Sequence, residues 1–233
     1  TFIEAEDIYF SREHQTIIFI ESTMLTIWDI HARSCMHKID ILPLVSKRKR
    51  EQNPSKEKSF ASPMTVNTQG NCLIIKINHQ DMVSDHRPLI EVTFSRQEHK
   101  MSPVLHLPNI SCERIGDVSF CNSDKTLLLT VCKYKKTETN MIIFCDARLF
   151  TRLKTVELDS RLTIFARSLR LSSDGSVGAV ACRPCYGISI DIKEQSINYL
   201  PKLPSVEKAK TLDSKKKASE LIFNADNKII MLQ

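Results

Sequence analysis

Apolar residues in this chain come in short runs separated by polar clusters, and the runs are rich in β-branched side chains. The clearest are 16–20 (TIIFI), 72–77 (CLIIKI), 126–132 (TLLLTVC), 140–144 (NMIIF) and 187–192 (GISIDI). Such runs predict strands, because branched side chains fit a pleated surface and the flanking Asn, Asp, Ser and Gly fit turns. Nowhere does a helical apolar period of about 3.6 residues persist over about 12 positions. Only 201–218 has room for a helical turn or two, and Pro201 and Pro204 delay its start. The predicted class is all-β.

The strands fall into a repeating order. Short strands end at Phe10, Val66, Phe120, Leu171 and Phe223, spaced 56, 54, 51 and 52 residues apart. Each is followed by a polar turn (SREHQ, NTQGN, CNSDK, SSDGS, NADNK) and then by a stronger apolar strand. Residues of these types tolerate left-handed backbone and hydrogen-bond locally. Two more strands complete a unit. In the first unit, 24–28 ends at Trp28-Asp29, and a tight turn at 31–34 leads to 35–39. In the fourth, 188–190 is followed by Asp191, a turn at 193–196 and a strand at 197–200. The third gives 141–144, then Cys145-Asp146, a turn at 147–152 and a strand at 153–158. In the second, 89–94 and 101–107 fit more loosely. Four strands per unit at this period predict propeller blades rather than a sandwich, with a solenoid as the other repeat architecture. The expected blades are 7–45, 64–108, 117–160 and 168–200, with an incomplete one at 219–233.

Trp28-Asp29, the related Cys145-Asp146 and Ile190-Asp191, and the turn Ser172-Ser173-Asp174-Gly175 make the chain similar to divergent members of the WD-repeat β-propeller family over nearly its whole length. Departures are visible. No Gly-His pair precedes the first strand of any unit, and the first hairpin carries Glu21-Ser22-Thr23 where the family places Asp. The family's buried His–Ser/Thr–Trp–Asp network is therefore not expected in most blades. A closed ring of this kind has about seven blades, so the resemblance implies further blades and a longer parent protein, in keeping with a first residue that is Thr1. The degenerate C-terminal propellers of NACHT-plus-WD-repeat signalling proteins are similar, which implies a scaffold or sensor role in signalling. Trp28 is then expected to pack within its blade rather than to act as an exposed binding anchor.

Composition changes this picture only by exclusion. At 233 residues, 42% hydrophobic and 26% charged, the chain is ordinary globular protein, one large domain or two small ones. No apolar run approaches the roughly 18–20 residues of a membrane span, and no secretory leader is visible. Eight irregularly spaced cysteines point to a reducing compartment, the cytoplasm, with thiols acting as small buried hydrophobes.

The net charge of +6 is concentrated. Residues 46–58 hold six Lys/Arg against two acids, residues 202–217 hold six Lys against two acids, and the rest of the chain is left at −2. Lys47, Arg48, Lys49 and Arg50, with Lys208, Lys210, Lys215, Lys216 and Lys217, are the candidate partner-contact residues. A run such as 47–50 suits an acidic protein surface, phosphates, or nuclear import; the plain alternative is a solvated loop. No aromatics interleave with these cations, so base stacking is not expected.

Loop lengths add direction. The first-to-second and third-to-fourth turns are short, whereas 46–63, 201–218 and the hairpin loops 78–88, 133–139 and 182–187 are long. In a propeller the long set projects from one face, where loops vary without disturbing packing and carry contacts. Insertion drift is the competing reading. Cys182-Arg183-Pro184-Cys185 has metal or redox spacing, but no second ligand pair accompanies it, so a hairpin turn is expected. The seven histidines fall mostly in predicted turns, and no nucleophile elbow, zinc-protease motif or phosphate loop is present. The Asp residues after third strands read as turn formers. The expectation is a non-catalytic scaffold or sensor that contacts protein partners, with no cofactor and no metal. Electrostatic binding of nucleic acid or phosphoinositide by the basic loops is the alternative.

Overall fold

The structure, a computed structural model, describes residues 8–11, 15–21, 24–41, 61–77, 89–107, 110, 114–133, 138–165, 168–183, 186–200, 220–223 and 229–232. The chain divides into two compact units, 1–113 and 114–233. Among the described residues all regular structure is strand and turn.

In the first unit, β1 (Ile8–Ser11), β2 (Thr16–Glu21), β3 (Met24–Asp29) and β4 (Ser34–Asp40) form one antiparallel sheet in chain order. A second sheet follows with β5 (Ala61–Val66), β6 (Cys72–Ile77), β7 (Leu89–Phe94) and β8 (His99–Val104). Strand register sets which residues share a face: Ile18 lies opposite Ile27, Ile20 opposite Leu25, and Leu25 opposite Ile39. This face packs on Leu73, Ile75, Ile77, Ile90 and Val92 of the second sheet, all buried. Each such aliphatic side chain contributes about 1.5–3 kcal/mol on leaving water. β5 lies against β1 and β2, so the sheets meet at their first strands.

The other face of the first sheet is uncovered by any described residue. β2 alternates buried and half-buried residues, whereas β6 is almost continuously buried, the difference expected between a sheet covered on one side and one covered on both. Two cross-strand rows line the open face. One runs Ile8, Phe19, Thr26, Lys38, and the next Phe10, Ile17, Trp28, Cys35. Ile8 is 65% exposed, Phe10 55% and Trp28 37%.

The second unit begins with a sheet of β9 (Ile115–Cys121), β10 (Thr126–Val131), β11 (Met141–Asp146) and β12 (Arg152–Glu157). The next sheet has a divided first strand. β13 (Thr163–Ile164) and β14 (Arg170–Leu171) both pair with β15 (Val177–Arg183), which continues to β16 (Tyr186–Asp191) and β17 (Ser196–Tyr199). β18 (Glu220–Phe223) and β19 (Ile229–Leu232) form a two-stranded sheet, and β18 lies against β14 and β15. Leu128, Ile142, Phe144, Val180, Ile188 and Ile190 build the core between the first two of these sheets. Gly178 keeps that contact close: a Cβ there would sit 3.5 Å from both Ile190 and Leu128.

Antiparallel sheets that follow one another along the chain, each built in chain order, are the blades of a partial β-propeller. The pattern predicted the apolar strands within a residue or two, but three details differ. The strand at 163–164 was not expected, because two residues of mixed polarity carry no periodic signal. The 182–187 hairpin is short, since β15 reaches Arg183 and Cys182 lies opposite Tyr186 at the start of β16. Trp28 is not buried, because the sheet face it occupies has no covering neighbour among the described residues. The helical turn considered at 201–218 lies outside the described residues.

Candidate functional site

The nine candidate contact residues, Lys47, Arg48, Lys49, Arg50, Lys208, Lys210, Lys215, Lys216 and Lys217, lie outside the described residues, as do 78–88 and 134–137. The described residues show the end of each sheet where the short turns sit, and how those turns are held.

Each third strand of three sheets ends in Asp, and in each case the carboxylate folds back onto its own turn. Asp29 Oδ1 accepts from Ala32 N–H at 2.9 Å, and Asp191 Oδ1 from Glu194 N–H at 2.8 Å. Asp146 Oδ1 accepts from both Arg148 N–H and Leu149 N–H at 2.8 Å. Each turn then closes on a left-handed residue, Arg33, Gln195 or Phe150, with φ of 49°, 50° and 50°. The Leu149 and Arg148 amides hold the Asp146 carboxyl below its usual range. These carboxylates are turn anchors, as the sequence implied.

First-to-second turns are built likewise. Asn122, Ser123 and Asp124 are all left-handed. Gly175 has φ +67°, and its carbonyl accepts from Asn122 N–H at 3.1 Å, which ties two neighbouring turns together. Asp174 is driven down to about 2, first by the Ser172 hydroxyl at 2.6 Å and then by the Ser176 amide and hydroxyl.

At this same end of the first unit lies a cleft of about 360 Å³, lined by Asn71, Thr93, Phe94, Ser95, Glu98, His99 and Lys100. Two segments form it: the β5–β6 turn, and the continuous β7–β8 hairpin from the end of β7 to the start of β8. Ser95 Oγ accepts from the Gln97 and Glu98 amides at 3.2 Å and fixes the last turn. His37, buried in β4 of the preceding sheet, donates from Nε2 to the Ser95 carbonyl. Its ring stands edge-on to His99 at 5.4 Å and to Phe94 at 6.2 Å. The sequence placed most histidines in turns and grouped none of them. His37 and His99 meet only because two sheets stack, a contact between residues too far apart in sequence for spacing to reveal. Among the described residues no three His, Cys, Asp or Glu are placed to hold a metal ion. The cleft offers hydrogen-bond donors, acceptors and one charge of each sign, which suits recognition.

Two polar side chains that the sequence did not single out prove structural. Arg114 is buried, donates from Nε to the Cys132 carbonyl at 3.0 Å and from Nη2 to the Thr139 carbonyl at 2.7 Å, and pairs with Glu138 at 3.4 Å. Asn140, fully buried, accepts from Lys133 N–H at 2.9 Å and donates to the Leu162 carbonyl at 2.7 Å.

The thiols behave as the composition implied. Cys72, Cys121, Cys145 and Cys182 are buried and unbridged, and burial pushes Cys121 and Cys145 up to about 12. A nucleophilic thiolate at neutral pH is thereby excluded at both. We expect a maleimide to label half-buried Cys35 well before Cys121 or Cys145 in native protein, and all three together in denaturant; peptide mass mapping reads the order. Cys185 lies outside the described residues, and its neighbour Cys182 is a buried strand residue. Among the described residues no helix is long and apolar enough to cross a membrane.

No family model matches the chain, and no curated protein matches it. Among solved structures, the β-propeller domain of Cps50 (Swd1) from Myceliophteria thermophila is similar, with a TM-score of 0.56 at 8% identity. The likeness covers 99% of this chain and 62% of that one. At this identity it is a likeness of fold, and the chain spans less than two thirds of the propeller domain it resembles.

Proposed function

We propose that the chain is part of a WD-repeat-type propeller that acts as a non-catalytic protein-interaction platform, gripping partners through its long connections. One observation carries this reading. Asp29, Asp146 and Asp191 lock the short turns at one end of their sheets, while connections of 20 residues run between Asp40 and Ala61 and between Tyr199 and Glu220. Strand alternation starts each connection at the end of its sheet opposite the Asp-anchored turn. The other two inter-sheet links are shorter, 10 residues after Val104 and 5 after Glu157. The basic runs thus occupy the two longest inter-sheet links, on a rigid scaffold that leaves such segments free to vary. The exposed row of Ile8, Phe10 and Trp28 supports a ring with a further blade seated on the first sheet, since a blade needs neighbours on both faces.

A second reading has its own support in the charge distribution. Two runs of +4 in a chain of +6 suit an anionic surface, nucleic acid or phosphoinositide. One experiment separates the two. Replacing Lys47, Arg48, Lys49 and Arg50 with glutamine, and in a second variant Lys215, Lys216 and Lys217 with glutamate, is expected to reduce recovery of protein partners while leaving thermal unfolding unchanged. Under the anionic-surface reading, both variants instead lose heparin retention, and the parent's retention falls steeply with salt as counterions are released. Unchanged partner recovery and unchanged heparin elution in both variants would overturn the loop-face proposal in either form.

A further inference from the structure

We propose that the outer edge of β12 is a docking edge for an extended acidic segment of another protein, which adds to the sheet as a fifth strand. This inference does not depend on the long connections. It rests on three features of the third four-stranded sheet in chain order.

The first is a backbone with free valence. β12 is the terminal strand of its sheet. Leu158 N–H donates to the Asn140 carbonyl at 2.9 Å, and Val156 and Lys154 lie opposite Ile142 and Phe144. Bonded pairs alternate along an antiparallel ladder, so Lys154 and Val156 direct their backbone groups at β11. Thr155 and Glu157 direct theirs outward. An incoming extended chain meets an N–H and a C=O from each, the backbone recognition of strand addition.

The second is exposure. Five of the six β12 residues are exposed and the sixth is half-buried. The other outer strands are less available. β4 and β8 are partly buried along their lengths, β8 carries Pro103, and β17 is only four residues long. Leu153 is 51% exposed and Leu149, in the turn before it, 73%. A bulge between Phe144 and Cys145 sets both Arg152 and Leu153 against Cys145, and bulges re-aim side chains at sheet edges. Two large apolar side chains thus stand beside an unpaired edge.

The third is charge. Arg148, Arg152 and Lys154 are exposed around the two leucines, and Asp146 is already committed to the turn amides, which leaves Glu157 as the acid on the strand. Edge charges ward off indiscriminate pairing. Here the excess is cationic, so a second copy would bring the same cations to the junction, while an acidic strand is drawn in and held in register. Acids in the partner are drawn to Arg148, Arg152 and Lys154, and its apolar residues to Leu149 and Leu153.

The test uses the full chain and a fluorescent peptide of alternating Glu and Val, with alternating Lys and Val as its counterpart. Thr155→Pro removes an outward N–H without breaking the ladder to β11, and β8 shows that an outer strand accommodates proline. We expect the Glu–Val peptide to bind, the Lys–Val peptide not to, and Thr155→Pro to weaken binding about tenfold or more. As a check independent of that backbone change, the double variant Arg152→Glu with Lys154→Glu is expected to reverse the preference between the two peptides. Failure of the Glu–Val peptide to bind, equal binding to the Pro variant, or no reversal by the charge variant overturns the proposal. So does a parent chain that dimerises and becomes monomeric on Thr155→Pro, which assigns the edge to a second copy.

Discussion

Replacing Phe144 with alanine is expected to lower the unfolding free energy by about 3–5 kcal/mol, the range for removing a fully buried aromatic side chain. Among the described residues Phe144 is the largest fully buried side chain, and it sits with Leu128, Ile142, Val180, Ile188 and Ile190 where two sheets of the second unit stack. Strands on both sides are held by their ladders, so the surrounding residues collapse little into the space left behind. Domains of this kind unfold at a cost of about 5–15 kcal/mol, which makes the loss a large share of the total. Leu149→Ala is the contrast: at 73% exposure it should change stability by no more than about 0.5 kcal/mol. Urea titration followed by circular dichroism measures both. A Phe144→Ala loss below about 1 kcal/mol would contradict the packing described.

Asn140→Leu is expected to cost about 2–4 kcal/mol although the two side chains are nearly equal in volume, because it leaves a buried donor and a buried acceptor without partners. Asn140 receives the Lys133 amide and donates to the Leu162 carbonyl. One side chain thereby ties the β10–β11 hairpin to the link between β12 and β13. Hydrogen exchange at Lys133 should accelerate in the variant by more than exchange at Leu128, on the central strand. Equal acceleration at both sites would mean that the loss is global rather than centred on this tie.

The strands were legible where apolar residues ran together. Segments such as TLLLTV and CLIIKI are buried on both faces, so their continuity was itself the signal. The repeat was legible from its turns, since Asp29, Asp146 and Asp191 recur at the same place in three units. What was hidden depended on neighbours. Trp28 has the local sequence of a packed residue, yet its exposure is decided by what lies across the sheet face, which no single strand encodes. Arg114 and Asn140 are polar residues at the edges of strands, and only the main-chain groups that converge on them make them buried anchors. The cleft at Asn71, Phe94 and His99 is assembled from two turns, and His37 packs on its His99 and Phe94 from another sheet. β13 and β14, two residues each, are defined by pairing with β15 rather than by any pattern of their own.

The Asp-anchored turns carry a consequence for engineering. Because Asp146 holds the amides of residues two and three positions after it, and Asp29 and Asp191 each hold the amide three positions after, these turns are fixed by main-chain contacts and by the left-handed residues that close them, not by the side chains at their tips. Foreign side chains placed at positions 148 and 149, or at 193 and 194, would be displayed by a self-contained clasp that grips only their main chain, and the strands on either side would have no stake in the cargo.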